Sequence, residues 1–303
     1  MIKVRVPATT ANIGSGFDSF GMALSMYNEI CIEEIEDGIK LLQEGQPSEI
    51  PLAENLLYTS FINTLDKYNY IYKGFRIDVT QCNIPISRGL GSSAACIVAG
   101  IMAANALMRN ALNVNEIINA AVEIEGHPDN IVPAVVGGMV ISLVECGKVI
   151  YSKIKVPEDL SIAVIIPNFK LSTEASRAVL PKSYSREECV FNISRASMLV
   201  NAMNNCELDK LRISVQDKIH QDYRKDLIRN IDDIFREAQE QGSLAEFISG
   251  SGSTLVSIID KKNYDFSSNM KKFLNKLEDK WEINVLQPDL EGARIKEEIR
   301  QGV

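Results

Sequence analysis

The chain has 303 residues, of which 46% are hydrophobic and 24% are charged, and its formal net charge is −8. These proportions are typical of a globular protein and exclude a disordered or fibrous one. An acidic chain without a basic stripe binds nucleic acid poorly, so we expect no nucleic-acid partner.

The six cysteines are scattered without a C-x-x-C pair, and only two histidines are present. This pattern excludes a zinc site of ordinary Cys/His spacing and indicates reduced thiols in the core of a cytoplasmic protein. The chain starts without the basic and apolar run of a signal peptide, and its longest apolar stretch, 94–108, is too short to span a membrane. We therefore expect a cytoplasmic location and no membrane partner.

The first half of the chain is predicted to combine short strands with a few helices. Apolar patterning predicts strands at 2–6, 29–35, 75–80, 139–144 and 149–154, the last two joined by a Cys-Gly turn. Helical spacing predicts helices at 55–70 and 94–109, and the second is apolar on nearly every side, which indicates a buried helix. Asn113 and Glu116 form a capping-box pattern that starts a further helix, ending near residue 125.

The second half begins with a predicted strand at 160–167. Further patterning predicts helices at 187–204, 208–215 and 227–241, a strand at 255–259, a helix at 266–277 and a last strand at 281–286. Residues 1–150 carry 9 Lys/Arg and 16 Asp/Glu, whereas residues 151–303 carry 23 and 24. This shift in charge density predicts two domains, 1–155 and 156–303, of the α/β or α+β class.

The segment Ile84-Pro-Ile-Ser-Arg-Gly-Leu-Gly-Ser-Ser-Ala-Ala95 lies between a predicted strand and the predicted buried helix. Gly89 and Gly91 allow the backbone to bend tightly and to approach a ligand. The two serines that follow fall where a helix exposes unpaired N–H groups, a geometry that binds phosphates. The segment lacks the G-K-[ST] of a Walker A loop, and Arg88 is the only nearby cation, so a triphosphate would need Mg²⁺ and backbone amides. The alternative is an ordinary glycine-rich turn followed by a serine helix cap.

This segment resembles, position for position, the ATP-binding signature of the GHMP kinases (galacto-, homoserine, mevalonate and phosphomevalonate kinases). Two further segments resemble the N-terminal motif and the C-terminal glycine motif of that family, namely Pro7-Ala-Thr-Thr-Ala-Asn-Ile-Gly-Ser-Gly-Phe-Asp18 and Ile248-Ser-Gly-Ser-Gly-Ser-Thr254. The stretches 125–130, 172–181 and 216–224 are similar to those of the members that phosphorylate homoserine. Motifs spread over the whole chain argue against chance agreement.

The resemblance implies an α+β chain with the two-domain GHMP kinase fold. The N-terminal domain would be a mixed α/β ATP-binding domain with a left-handed βαβ phosphate loop, and the C-terminal domain a ferredoxin-like α/β domain. The implied reaction is direct in-line transfer of the γ-phosphate of ATP, with Mg²⁺, to the side-chain hydroxyl of L-homoserine in threonine biosynthesis, by a homodimer. The implied nucleotide-binding residues form one continuous run: Pro85, Ile86, Ser87, Arg88, Gly89, Leu90, Gly91, Ser92, Ser93, Ala94 and Ala95.

Homoserine is a zwitterion, so its site needs an acceptor for the ammonium group and donors for the carboxylate. The resemblance assigns Asp18 to the ammonium group, with Asn12 beside it. It assigns Arg177 and Arg224 to the carboxylate, for which a guanidinium offers two parallel N–H donors. Without the resemblance, Asp18 would be interpreted as a turn residue, and the two arginines would be interpreted as solvated surface charges.

The resemblance further implies that His127 and Asn130 contact the amino acid, on a loop that follows a helix, and that Asn130 orients the hydroxyl. Thr173 is assigned to a substrate-binding loop. Capping alone would explain a His before a proline and a threonine after Ser172. Asp129 is a candidate base, and base catalysis stays open because phosphoryl transfer relies mainly on positioning and charge stabilisation.

For the metal, the resemblance assigns the carboxylate of Glu123 and the hydroxyl of Ser93 to Mg²⁺, which keeps several waters and needs only one or two protein ligands. The alternative for Glu123 is a solvated helix face, and Glu125 is a rival ligand. The implied catalytic residues are therefore His127, Asn130, Ser93 and Glu123.

Two other functions stay open at this point. One is a GHMP kinase acting on another small alcohol, such as mevalonate or a sugar, which would be favoured if Arg177 and Arg224 pointed away from the site. The other is a non-catalytic regulator that binds a nucleotide or metabolite, against which the intact glycine segment, Ser93 and Glu123 argue.

Overall fold

Two β-sheets organise the chain, and the computed structural model describes residues 1–297. The strands are β1 (Ile2–Ala11), β2 (Phe20–Ile35), β3 (Gly38–Gln43), β4 (Gln46–Pro47), β5 (Gly74–Cys82), β6 (Met139–Glu145), β7 (Lys148–Ile154), β8 (Leu160–Pro167), β9 (Ala245–Ile248), β10 (Leu255–Asp260), β11 (Trp281–Leu286) and β12 (Arg294–Glu297). The α-helices are α1 (Leu56–Lys67), α2 (Ser92–Leu107), α3 (Val114–Glu125), α4 (Pro128–Val136), α5 (Thr173–Ala178), α6 (Arg186–Asn205), α7 (Leu211–Ser214), α8 (Gln221–Arg224), α9 (Ile231–Glu240) and α10 (Phe266–Leu274). Short 3₁₀ helices occur at Leu52–Glu54, Leu208–Lys210 and Lys225–Leu227.

The first sheet has eight strands and carries the helix that starts at the glycine segment. Its strand order is β12-β1-β2-β5-β3-β4, and β6 and β7 extend it beside the start of β2. Helix α2 packs on β1 and against α1, α3 and α4, so it is buried nearly all round, as its apolar sequence predicted. Small residues permit this: a Cβ on Gly100 would lie only 2.6 Å from the carbonyl oxygen of Leu57 in α1.

The second sheet has four antiparallel strands in the order β11-β8-β10-β9. Its chain order of strand, helices, two strands, helix and strand is that of a ferredoxin-like domain, which confirms this part of the predicted fold. Every residue of β8 is buried, and alternate residues face different cores. Ile162 and Val164 belong to the core shared with the first sheet, whereas Ala163 and Ile165 pack with residues of α9 and α10. The second sheet is therefore an inner wall between two apolar layers. The left-handed crossover at the phosphate loop stays a prediction.

The end of the chain returns to the first sheet. β7 ends at Ile154 and β8 begins at Leu160, close to the predicted boundary, but β12 pairs with β1. The segment 281–286 is therefore not the last strand, and residues 156–303 do not all belong to the second sheet's domain. A four-residue strand is too short for a periodic pattern to reveal it, because its pairing partner alone makes it a strand.

Other expectations are corrected by the structure. Residues 128–136 form helix α4 where a loop was expected, and Pro128 occupies its first turn, a position that suits proline. All six cysteines are free, but three of them are exposed and three are half-buried, and of the half-buried ones Cys96 packs against the core. Among residues 1–297, no helix has both the length and the apolar character needed to cross a membrane.

Asp289 fastens the returning segment to the first sheet. Its buried carboxylate accepts hydrogen bonds from the hydroxyl of Tyr27 at 2.7 Å and from Arg294 at 2.8 Å. It also accepts from the backbone N–H groups of Glu291 and Gly292, at 2.8 and 2.7 Å. Burial opposes ionisation, but these hydrogen bonds outweigh it and hold the pKa of Asp289 below its usual value. The folded structure therefore stabilises the ionised form of the Asp289 carboxylate.

We expect Asp289→Asn to lower the free energy of unfolding at pH 7 by about 2 kcal/mol, because Tyr27 and Arg294 donate to one carboxylate oxygen and two backbone N–H groups donate to the other. An amide has a single acceptor oxygen, so it cannot satisfy both pairs of donors. A pKa that is lowered on folding contributes stability above the unfolded pKa, and this stability is lost as the pH falls through the folded pKa. The difference in free energy of unfolding between wild type and the variant should therefore become smaller below about pH 4. Urea unfolding over a pH series measures it, with the exposed Glu291→Gln as control. A deficit that is independent of pH would contradict this role.

Candidate active site

A cavity of about 340 Å³ lies at the N-terminal end of α2. Its wall includes the glycine segment, and it is completed by residues from four other parts of the chain: Asn55, Glu125, Asn130, Thr173, Gly250 and Ser251. The N-cap of α2 is Gly91, in the left-handed conformation with φ 70°, and no side chain caps the helix. The first N–H groups of this 16-residue helix therefore have no side-chain cap and face the cavity region. Uncapped N–H groups at a helix start form a site for an anion.

The glycine segment is held by the backbone that follows β9. A Cβ on Gly89, where φ is +74°, would lie 2.2 Å from the carbonyl oxygen of Ser249. The hydroxyl of Ser249 donates to the carbonyl oxygen of Gly89 at 2.5 Å. The backbone N–H of Thr254 donates to the carbonyl oxygen of Arg88 at 3.1 Å. The C-terminal glycine motif thus supports the predicted phosphate-binding loop from outside the first sheet.

The run 85–95 divides into residues that line the cavity and residues that do not. The lining residues are Ile86, Ser87, Arg88, Gly89, Gly91, Ser92 and Ser93. Leu90, Ala94 and Ala95 are buried in the core and Pro85 does not line the cavity, so their side chains do not form its wall. Their assignment to the nucleotide stays a prediction. They shape the loop because apolar side chains anchor its backbone.

Arg88 does not offer a free charge to the cavity. Its guanidinium donates hydrogen bonds to the carbonyl oxygens of Pro167, Ile86 and Asn168, each at 2.9 Å. Arg88, which the sequence suggested as the cation nearest a phosphate, therefore connects the loop to the end of β8 through hydrogen bonds. Anion binding here depends on backbone amides.

Glu125, and not Glu123, lies beside Ser93. The hydroxyl of Ser93 donates to the Glu125 carboxylate at 2.5 Å, and both residues line the cavity. Burial raises the pKa of Glu125, and the hydrogen bond from Ser93 opposes that rise. Glu123 is exposed and lines a different cavity with Thr64 and Lys67. The predicted pair of Ser93 and Glu123 is corrected, because residues two apart on a helix point in directions about 200° apart.

Asp18 and Arg177 form an ion pair, although the sequence assigned them to opposite ends of a substrate. Two nitrogens of Arg177 donate to the two carboxylate oxygens of Asp18, at 2.7 and 3.2 Å. Both side chains are about one-third exposed, so the pair is open to a ligand. The guanidinium of Arg177 also lies 5.6 Å from the ring centre of Phe17.

Arg224 and Asn12 meet at the carbonyl oxygen of Gly250. Arg224 donates to it at 2.9 Å and the side-chain amide of Asn12 at 2.8 Å, while the oxygen of that amide accepts from the N–H of Asp18. Arg224 is only 2% exposed, so it is not a solvated surface charge. Burial lowers its pKa to about 10, and Arg177 adds to this effect, but the group stays charged at pH 7. Because Gly250 also lines the cavity, these side chains lie beside the anion site.

Asn130 lines the cavity from the first turn of α4. Its side-chain oxygen accepts from the hydroxyl of Thr9 at 2.8 Å, and its nitrogen donates to Asp129 at 3.3 Å. Burial and then the Asp18 carboxylate raise the pKa of Asp129 to about 7. Asp129 does not line the cavity, whereas Asn130 does. The structure thus puts the amide, and not the carboxyl group, at the cavity wall.

His127 is the N-cap residue of α4 and is half-buried. Burial lowers its pKa, and Arg177 adds to this while Asp18 opposes it, so the ring is neutral at pH 7. Thr173 lines the cavity, with its hydroxyl 3.4 Å from that of Ser251, and Ser172 caps α5.

Four residues that organise the site were not predicted from the sequence: Thr9, Phe17, His220 and Ser249. Each lies inside a stretch that carried the family resemblance. A search of those stretches for hydroxyl and imidazole groups would have found three of them. Their partners are distant in the chain, so no spacing rule could have assigned them.

We expect Gly89→Ala to lower the free energy of unfolding by about 2 kcal/mol more than Gly147→Ala, because its Cβ meets fixed backbone. Gly147 has nearly the same φ, +73°, but nothing lies within 4 Å of its Cβ position, so it isolates the cost of the left-handed conformation. Urea unfolding of the two variants measures the difference. Equal losses would show that the contact with Ser249 is not tight.

Comparison with known proteins agrees with this architecture. Residues 55–138 match the family described as GHMP kinases N terminal domain, and residues 194–280 match GHMP kinases C terminal. The chain is 65% identical to the homoserine kinase of Clostridium novyi, covering 97% of this chain and 99% of that one. It is 55% identical to the homoserine kinase of Clostridium kluyveri, with 97% and 98% covered.

A crystal structure of homoserine kinase from Cytophaga hutchinsonii matches with a TM-score of 0.86 at 27% identity, over 97% of both chains. The similarity therefore extends over nearly the whole chain, with both sheets included. On this basis the chain belongs to the homoserine kinases of the GHMP kinase family.

Proposed function

We propose that this protein transfers the γ-phosphoryl group of ATP to the side-chain hydroxyl of L-homoserine, giving O-phospho-L-homoserine and ADP. The observation that carries the proposal is the charged group beside the anion site. Arg224 bonds to the carbonyl oxygen of Gly250, which lines the cavity at the start of α2. Asp18, paired with Arg177, is joined to the same carbonyl oxygen through the side chain of Asn12. A zwitterionic alcohol needs this combination of charges, and the relatives that match the full chain are homoserine kinases.

The triphosphate of ATP would lie along the glycine segment. The uncapped N–H groups at the start of α2 donate to phosphate oxygens, and the helix dipole favours the negative charge. Gly89 and Gly91 keep the backbone free of side chains where the phosphates approach. Because Arg88 is bonded to three carbonyl groups, further neutralisation has to come from a cation.

Mg²⁺ fits the pair formed by Ser93 and Glu125. Both supply oxygen atoms, the ligands that Mg²⁺ prefers, and it commonly takes one or two protein ligands together with phosphate oxygens and waters. Among residues 1–297, no group of three or more His, Cys, Asp or Glu could hold a metal on its own. When bound, Mg²⁺ supplies charge neutralisation for the transferring phosphoryl group. Glu125 and Ser93 would hold it next to the start of α2.

The amino-acid end of homoserine would be bound by the charged side chains. Asp18 accepts from the ammonium group, and the carboxylate meets Arg224 and Arg177. Within the described part of the chain, Nε of Arg177 is buried without a hydrogen-bond partner. His127, neutral and half-buried, lies within the electrostatic influence of Arg177 and Asp18. Thr173 lines the cavity.

Asn130 would orient the hydroxyl that is phosphorylated. Its side-chain oxygen accepts from Thr9 and one N–H of its nitrogen donates to Asp129, so the second N–H is the donor left for a ligand. A loose transition state needs alignment and charge stabilisation more than proton removal, so the site functions without a base at its wall. The buried Arg224 weighs against a neutral sugar as substrate. The homodimer, the cytoplasmic location and a role in threonine biosynthesis stay predictions.

An ADP-release assay with Mg²⁺ and a panel of alcohols tests the proposal. We expect turnover with L-homoserine and at most background with mevalonate, shikimate and galactose, because the charged pocket needs both an ammonium and a carboxylate group. Turnover with galactose and none with homoserine would refute the assignment. The absence of turnover with every alcohol would favour a nucleotide-binding regulator.

We expect Glu125→Gln to lower kcat by roughly 100-fold and to raise the Mg²⁺ concentration needed for half-maximal rate, because it removes charge-stabilising coordination. Glu123→Gln is the matched control, since it makes the same change two residues away on the exposed face of the same helix. Its kcat should stay within about twofold of wild type. A large loss of kcat in Glu123→Gln and none in Glu125→Gln would instead identify Glu123 as the metal ligand.

A further inference from the structure

We infer that His220 is a positioning residue for the amino-acid pocket, which holds Arg224 and the loop 12–18 at a fixed separation. The inference rests on the proposed function and deepens it, because it concerns how the pocket selects an α-amino acid. His220 lies in the stretch 216–224, where the family resemblance assigns a role to Arg224 but none to His220.

The hydrogen bonds of His220 determine its protonation. Its fully buried ring has Nε2 2.8 Å from the carbonyl oxygen of Gly14 and Nδ1 3.1 Å from Nη1 of Arg224. A carbonyl group only accepts and a guanidinium only donates, so Nε2 carries the proton and Nδ1 is the acceptor. Burial lowers the pKa of His220 to about 4 against the opposing charge of Asp217. The ring is therefore neutral, in a single tautomer, at pH 7.

The acceptor at Nδ1 decides which edge of Arg224 faces a ligand. Nε of Arg224 donates to the carbonyl oxygen of Ser176, and Nη1 donates to Gly250 and to His220. No hydrogen bond from Nη2 to any of residues 1–297 is present, so its two N–H groups are the donors left for a carboxylate. Arg224 therefore offers one nitrogen and not the two parallel donors that the sequence suggested. His220 completes the set of contacts that leaves this nitrogen free.

The other side of His220 holds the loop that carries Asp18. Gly14, which accepts from the imidazole, and Phe17 both belong to that loop. The ring of Phe17 stacks on His220 with 5.2 Å between centroids, and the guanidinium of Arg224 lies 5.3 Å from the Phe17 ring centre. A displacement of the imidazole would move Arg224 relative to Asp18. His220 thus sets the separation between the groups proposed to bind the carboxylate and the ammonium ends of the substrate.

The neighbouring contacts leave little room for the loop to adjust. A Cβ on Gly14 would lie 2.0 Å from the carbonyl oxygen of Val215, so the loop backbone is pressed against the segment that precedes α8. Asp217 accepts from the N–H groups of His220 and Gln221, both at 2.7 Å. The imidazole is therefore held by its own backbone as well as by its ring contacts.

The test compares His220→Phe and His220→Gln with wild type in steady-state kinetics. Phenylalanine keeps a ring against Phe17 but leaves Arg224 and Gly14 without their buried partner. We expect the KM for L-homoserine to rise by roughly tenfold or more, the size expected for a buried unpaired donor. The KM for ATP and kcat should change by less than about twofold, because the contacts of the phosphate loop and Asn130 are untouched. Glutamine, whose amide can accept from Arg224, should give a smaller rise.

Asn105→Leu is the control for a merely structural effect. Asn105 is buried at the far end of α2 and bonds to both backbone groups of Leu112, so its loss should lower the melting temperature without raising the KM for homoserine. Calorimetric titration of each variant with L-homoserine, and separately with a non-hydrolysable ATP analogue, checks binding directly.

A folded His220→Phe variant whose KM for homoserine is within about twofold of wild type would overturn the inference. So would equal rises in the KM for homoserine and for ATP. If His220→Phe does not fold, His220→Gln decides: an unchanged KM for homoserine overturns the inference, and a rise of roughly threefold confined to homoserine supports it. Failure of the proposed function would look different, since wild-type protein would then release no ADP with homoserine.

Discussion

The carbonyl oxygen of Gly250 accepts hydrogen bonds from Asn12 and from Arg224, while the residue before it presses its carbonyl group against Gly89. One short piece of backbone from the second sheet therefore contacts the phosphate-binding loop, the loop that carries Asp18 and the buried arginine. Backbone can approach backbone this closely only where a Cβ is missing. The relative position of the anion site and the charged pocket depends on that contact.

The charges around this contact are held before any ligand arrives. Asp18 is paired with Arg177, Arg224 is bonded to two carbonyl groups and an imidazole, and the carboxylate of Glu125 accepts from Ser93. Buried charges need such partners, because the cost of removing them from water is otherwise large. The result is a pocket whose groups need little rearrangement, and phosphoryl transfer depends on alignment of this kind.

Much of the fold could be predicted because many of its strands and helices are encoded by sequence patterns within a few neighbouring residues. The strands at 160–167 and 281–286 occur at the predicted residues, since apolar runs of that length need no distant partner to be recognised. The capping box of Asn113 and Glu116 is present because both members lie in one turn. Helix α4 was missed, since a proline and two polar residues at its start mask a short apolar helix. Strand β12 was missed because only its pairing with β1 defines it.

The amino-acid sequence by itself determined the family, the glycine-rich loop at a helix N-terminus and many, but not all, of the polar residues from which the site is built. These follow from local backbone requirements, which glycines, caps and motif spacing express directly. Only the tertiary structure decided that Glu125 and not Glu123 meets Ser93, that Arg88 binds carbonyl groups, and that His220 touches both Arg224 and Gly14. The physical reason is that a polar group's partner depends on distances of a few tenths of an ångström between residues far apart in the chain, and no periodicity or spacing rule carries that information.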